Sequence, residues 1–162
     1  MRILGIDPGS RITGFGVIEI QQGRIHYVTS GCVKVTAGTF PLRLKEVFEG
    51  VRQVSQHYHP DCMAIEKVFV HKNVDSALKL GQARGAAICA VLENELPVHE
   101  YAPTEIKKAV VGKGRAAKEQ VQHMVTALLK LPGVPQADAA DALAVALCHA
   151  HTQNIQYRLG RK

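Results

Sequence analysis

Apolar and polar positions along the chain first alternate in short runs and then settle into a helical rhythm. Residues 2–7 form a strand-length run, Arg2-Ile3-Leu4-Gly5-Ile6-Asp7. Pro8-Gly9-Ser10 is turn chemistry, and 12–20 resumes as a second strand. Gln21-Gln22-Gly23 turns the chain into a third, about 24–35, so a meander is expected. From Leu44 the apolar residues Leu44, Val47, Phe48, Val51, Val54 and Tyr58 recur with a period of 3.6, which predicts an amphipathic helix closed by His59-Pro60-Asp61. A strand over 62–67 follows, and then a long helix from Asn73 to Glu95. Pro97 to Tyr101 reads as a short strand, and Pro103-Thr104-Glu105 opens a short helix that ends at Gly112-Lys113-Gly114-Arg115. The next helix sets Ala117, Val121, Met124, Val125 and Leu128 on one face. Pro132-Gly133-Val134-Pro135 breaks the chain before a last helix, about 136–151.

Three antiparallel strands followed by strand–helix alternation predict an α/β fold. Its five-stranded mixed sheet has three antiparallel and then parallel strands, with helices on both faces. No repeat or linker divides the chain, so residues 1–151 are expected to form one domain and 152–162 a basic, flexible tail. The length of 162 residues and the 46% hydrophobic and 21% charged content fit a single folded core, not a disordered segment. With four Phe, four Tyr and no Trp, that core must be aliphatic. The four cysteines, Cys32, Cys62, Cys89 and Cys148, lie in apolar segments without a C-x-x-C pair, and are read as small core residues in a reducing compartment. No leader and no membrane span is read, so a cytoplasmic protein of bacterial style is expected. Twenty Lys and Arg against 14 Asp and Glu give +6, a balance that permits a polyanionic partner.

Two of the apolar runs end on a carboxylate, Asp7 and Glu66, and Asp138 and Asp141 sit one turn apart at the start of the last helix. Each acid has an ordinary alternative. Asp7 can cap the turn at Pro8-Gly9, Glu66 can pair with Lys67 or Lys72, and Asp138 and Asp141 suit a helix N-terminus. Taken together they suggest something else, because ligands gather at the carboxyl ends of parallel strands. Four carboxylates converging there would repel one another and demand a cation. Oxygen ligands of this kind suit Mg²⁺ or Mn²⁺ and phosphodiester chemistry.

Other features are consistent with that reading. Gly14 and Gly16 lie in a strand, where glycine implies either a closely approaching phosphate-bearing ligand or else a bulge or tight packing beneath a helix. Lys107, Lys108, Lys113, Arg115 and Lys118 form a basic stretch without an intervening acid, suited to phosphate contacts beside an acidic site. Lys118 and Gln122 are expected on a free helix face. Phe69, just after Glu66, is placed either to stack on bases or to fold onto the core. Gly81 and Gly85 share a helix face and allow another helix to come close, within the domain or across a dimer interface. His149 and His151, two residues apart, face different ways and are not read as a ligand pair.

The segments Ile-Leu-Gly-Ile-Asp-Pro-Gly-Ser-Arg-x-Thr-Gly-x-Gly, Ala-Ile-Glu-x-Val-Phe, Ser-Ala-Leu-Lys-Leu-Gly-Gln-Ala-Arg-Gly and Pro-Gln-Ala-Asp-Ala-Ala-Asp-Ala-Leu-Ala resemble, in order, the motifs of the RuvC family of Holliday junction resolvases. The resemblance spans residue 2 to about 150. It implies a ribonuclease H-like fold, a homodimer, and paired nicks in like strands of a four-way DNA junction during recombination and repair, leaving 5′-phosphate and 3′-hydroxyl ends. It also implies two Mg²⁺ ions per site, replaceable by Mn²⁺, on Asp7, Glu66, Asp138 and Asp141. Phe69 becomes a junction-probing aromatic, Lys107 and Lys118 become DNA contacts, and the branch-migration proteins RuvA and RuvB become partners. A ribonuclease acting on RNA–DNA hybrids shares this fold and chemistry and is the main alternative. An actin-like ATPase domain would need a second domain that 162 residues hardly allow, and a non-catalytic junction-binding module would have no need of four acids.

Overall fold

The computed structural model describes residues 1–69 and 73–159. Its elements are β1 (Arg2–Asp7), β2 (Ile12–Gln21), β3 (Arg24–Lys34), α1 (Phe40–Tyr58), β4 (Cys62–Glu66), α2 (Val74–Leu92), β5 (Val98–Tyr101), α3 (Pro103–Val111), α4 (Lys118–Leu128) and α5 (Ala137–Leu159). The strands form one sheet in the order β3-β2-β1-β4-β5. The meander β1-β2-β3 is antiparallel, whereas β4 lies parallel to β1 and β5 parallel to β4. This is the expected mixed sheet.

Pleating divides each strand between two cores. Leu4, Ile6, Val17, Met63 and Ile65 face α1 and α2, joining Val47, Val51, Ala87, Ala90 and Val91. Ile3, Ile18, Cys62 and Ala64 face the other side, with residues of α3, α4 and α5. Every residue from Ala142 to Ala150 of α5 is buried, since the helix lies between the sheet and the α3–α4 pair. A helix apolar around its whole circumference belongs in such a place.

Glycine sets how closely α5 approaches. A Cβ at Gly14 would lie 2.0 Å from the Asp138 carbonyl oxygen, one at Gly5 2.1 Å from that of Ala142, and one at Gly16 2.6 Å from Leu143 Cδ2. Between the two readings of these glycines, the close neighbour is a helix. They form a track along β1 and β2 on which the α5 backbone rests.

Two boundaries and one buried helix face differ from expectation. Helix α1 begins at Phe40, four residues before the periodic pattern, because Thr39 is extended and a proline occupies the first turn. Helix α5 does not stop near 151 but continues to Leu159; Gly160 is the first helix breaker after Pro135, and a polar composition alone does not end a helix. In α4 the buried seam is Val121 and Val125, continued by the C-cap residue Leu129. Ala117 is the exposed N-cap and Leu128 is 41% exposed, so the seam runs at i, i+4 and i+8. Of the cysteines, Cys62 and Cys148 are buried as expected, Cys32 is half-buried, and Cys89 is exposed on α2.

Candidate active site

Register brings the acids together. Between β1 and β4, Ile3 pairs with Cys62 and Gly5 with Ala64. Two residues on, Asp7 and Glu66 end neighbouring parallel strands on the face that carries α5. Asp7 also pairs with Gly14 across β2, and Gly14 is the glycine against which the Asp138 backbone rests. The α5 N-terminus is thereby held over the end of β1. Asp138 and Asp141, three residues apart, face the two strand-end acids.

The electrostatics express that crowding. Asp7 is raised to about 8, first by burial and then by Asp141, Glu66 and Asp138, with Lys118 acting in the opposite direction. Glu66 is also raised, by burial and by Asp141, against the pull of Lys107 and Lys118. Lys118 Nζ lies 2.7 Å from Asp141 Oδ2, and this bond raises its own pKa. Lys118 thus stands on an exposed face of α4 that borders the acid cluster. One ammonium cannot balance four carboxylates, and the all-oxygen donor set fits a hard divalent cation. No three of the four acids have oxygens within 4.8 Å of one another; among the described residues that spacing occurs only at Cys62, His99 and His149.

The ordinary role open to Asp7 is filled by another group. The turn after Asp7 is closed by Thr13, whose Oγ1 accepts from Gly9 N at 3.2 Å and donates to Gly9 O at 2.8 Å. Among the described residues Glu66 forms no ion pair; Lys67 is exposed, and Lys72 lies outside the described residues. Arg84 is a residue the sequence reading passed over. Its Nε donates to the Glu66 carbonyl at 3.0 Å, and its guanidinium also binds Glu100, so α2 braces the end of β4. A long cation inside an apolar helix was the available signal.

Two recesses flank Glu66. One, of about 170 Å³, is lined by Glu66, Lys107, Lys118 and Asp141 among others. The other, of about 240 Å³, takes in Asp7, Glu66, Lys67, Phe69 and Leu80. Phe69 is 52% exposed at the rim and is not folded onto the core. Lys107 and Lys118 are thus brought to the site, whereas Lys108, Lys113 and Arg115 are exposed and line neither recess. On α2 an added Cβ at Gly81 or Gly85 meets nothing within 4 Å among the described residues, so no described helix packs there. Leu78 and Leu92 on the same helix are 60% and 50% exposed.

The family profile described as crossover junction endodeoxyribonuclease RuvC matches residues 3–149. The RuvC of Aeromonas hydrophila is 61% identical over 157 residues, covering 97% of this chain and 91% of that one. Among solved structures, Thermus thermophilus RuvC in complex with Holliday junction substrate superposes with a TM-score of 0.88 at 34% identity, over 96% of each chain. The yeast mitochondrial Holliday junction resolvase shares the fold, with a TM-score of 0.63 at 11% identity over 96% of this chain and 82% of that one. Four acids gathered at one end of the central strands, an exposed phenylalanine beside them and a match over nearly the full length agree: the chain belongs to the RuvC family of crossover junction endodeoxyribonucleases.

Proposed function

We propose that this protein resolves four-way DNA junctions by metal-dependent nicks placed in two strands of like polarity. The observation that carries the reading is the cluster of Asp7, Glu66, Asp138 and Asp141, in which burial and mutual repulsion hold Asp7 far above the usual carboxylate range. Such a cluster is stable in its charged form only around a cation. Asp7, Glu66, Asp138 and Asp141 would hold the two Mg²⁺ ions. The ions supply a water of lowered pKa and charge neutralisation at the leaving oxygen. Lys118 offsets part of the cluster's charge, and Lys107 lines the same recess, where a scissile phosphate would need a counter-charge. Cleavage on the 3′-oxygen side of the phosphate leaves 5′-phosphate and 3′-hydroxyl ends. Phe69, exposed at the rim, is placed to stack on an unpaired base at the junction. Lys108, Lys113 and Arg115 extend the basic surface toward the flanking arms.

The working unit in this proposal is a C2 dimer, matching the approximate two-fold symmetry of the junction. Its interface would lie along α2, where Leu78, Gly81, Gly85 and Leu92 present an uncovered apolar stripe. RuvA and RuvB, which the family resemblance implies, would deliver the junction. No described helix is long and apolar enough to cross a membrane.

The deciding experiment compares a synthetic four-way junction, an RNA–DNA hybrid and linear duplex DNA, each with and without Mg²⁺. Symmetric nicking of the junction alone, and only with metal, is expected. Preferential cleavage of the hybrid would overturn the reading in favour of a ribonuclease.

A further inference from the structure

A second cluster of ligating side chains lies at the opposite end of the same strands. Cys62 opens β4, four residues before Glu66 and therefore roughly 13 Å from it along the strand. His149 lies on α5 eight residues past Asp141, about 12 Å along the helix. His99 comes from β5, beside β4. One ligand atom from each of the three lies within 4.8 Å of the other two.

His149 is 1% exposed. Its Nδ1 is held by the Tyr101 hydroxyl at 2.7 Å, while its Nε2 is buried and has no hydrogen-bond partner. A buried imidazole nitrogen without a partner is uncommon, because desolvating it is compensated by nothing. Burial and the neighbouring His99 also keep the ring neutral, lowering it to about 4. In the tautomer that carries its proton on Nδ1 and donates it to the Tyr101 oxygen, the ring has a lone pair on Nε2. Second-shell hydrogen bonds commonly prepare a metal-binding histidine in this way.

We propose that Cys62, His99 and His149 bind one zinc-class divalent ion, separate from the nuclease site, which ties β4, β5 and α5 together at the far end of the sheet. One thiolate and two imidazoles form a borderline-soft set that suits Zn²⁺ and is unsuited to Mg²⁺. Ligand distances of about 2.0–2.3 Å in a tetrahedral site require the donor atoms to close to roughly 3.3–3.7 Å, a short contraction from the present spacing. His99 makes that adjustment. Its ring stacks on His149 with centroids 4.2 Å apart and planes 26° apart, and being only half-buried it can turn out of the stack toward the shared ion. Its partial exposure also provides the entry path and a place for water as fourth ligand. Binding replaces the Cys62 S–H bond with an S–metal bond and releases one proton to solvent.

The test uses the full-length protein, stripped with a chelator and titrated with Co²⁺ as a spectroscopic stand-in and with Zn²⁺. A cobalt–thiolate charge-transfer band that saturates at one equivalent and is displaced by Zn²⁺ is expected, along with a higher melting temperature in Zn²⁺. Cys62→Ser should abolish the band and His99→Phe should weaken binding at least tenfold, both leaving junction cleavage in Mg²⁺ unchanged. Cys32→Ser and Asp7→Asn should retain the band. Absence of the band in the wild type overturns the proposal, as does its survival in Cys62→Ser or its loss in Cys32→Ser.

Discussion

Asp7 is held far from its ordinary pKa by burial and by three neighbouring acids, and its pH behaviour follows from that. Its folded-state pKa, about 8, lies above the ordinary 3.8, so between those values the native state binds a proton that the unfolded chain has lost. Metal-free protein should therefore lose stability as pH rises from about 4 to about 8, by on the order of 1 kcal/mol or more in total. Asp7→Asn keeps the shape and removes the charge. In urea unfolding without metal it should flatten this slope and be the more stable protein at pH 8. The same substitution should abolish cleavage while leaving junction binding intact or tighter, because a charge that repels phosphate is gone. Near wild-type nicking by Asp7→Asn in Mg²⁺ would contradict the proposed mechanism. Lys118 acts in the opposite sense: its ammonium lowers both Asp7 and Glu66. Lys118→Met should move the rising limb of the cleavage–pH profile to higher pH, and an unmoved limb with only weaker binding would reduce Lys118 to a phosphate contact.

Among the elements, α5 and its glycine track decide whether there is a site at all. At Gly14 an added Cβ would meet the Asp138 backbone at 2.0 Å, and backbone cannot swing aside as a side chain can. Gly14→Ala should lower stability by about 1–3 kcal/mol and displace Asp138 and Asp141 enough to lose most cleavage. Gly16→Ala meets the Leu143 side chain and backbone amide slightly farther away and should be milder in both measurements. The same elements show what was legible in the chain. Asp7 and Glu66 stand at the ends of apolar runs, so their position could be read from local pattern. That β4 lies beside β1, in the register that makes the two acids neighbours, is a non-local fact, as is the contact of Gly14 with Asp138. The choice of Asp138 and Asp141 over ordinary helix-start acids therefore rested on family resemblance. Cys62, His99 and His149 were not read together because no spacing motif links three residues on three elements. The last helix, expected to end near 151, runs on to Leu159, because a polar composition alone does not end a helix.

For the molecule as a whole, the uncovered face of α2 bears on function more than the net charge does. A net +6 favours any nucleic acid, but paired cleavage needs two sites held at a fixed separation. The α2 stripe of Leu78, Gly81, Gly85 and Leu92 has no partner among the described residues, and glycine at Gly81 and Gly85 allows a second α2 to approach closely. Gly85→Arg tests this without injuring the monomer. The added side chain meets nothing within 4 Å, and replacing glycine inside a helix removes a penalty of about 1 kcal/mol. Sedimentation should shift from dimer to monomer while the far-ultraviolet helical signal is retained. On a supercoiled plasmid carrying a cruciform, wild-type protein should make both nicks within one complex and yield linear DNA. The variant should accumulate nicked circles, because the first nick releases the supercoiling that held the junction before a second monomer arrives. A variant that remains dimeric would place the interface elsewhere on the molecule. A monomeric variant that still linearises the plasmid would show that one subunit at a time suffices.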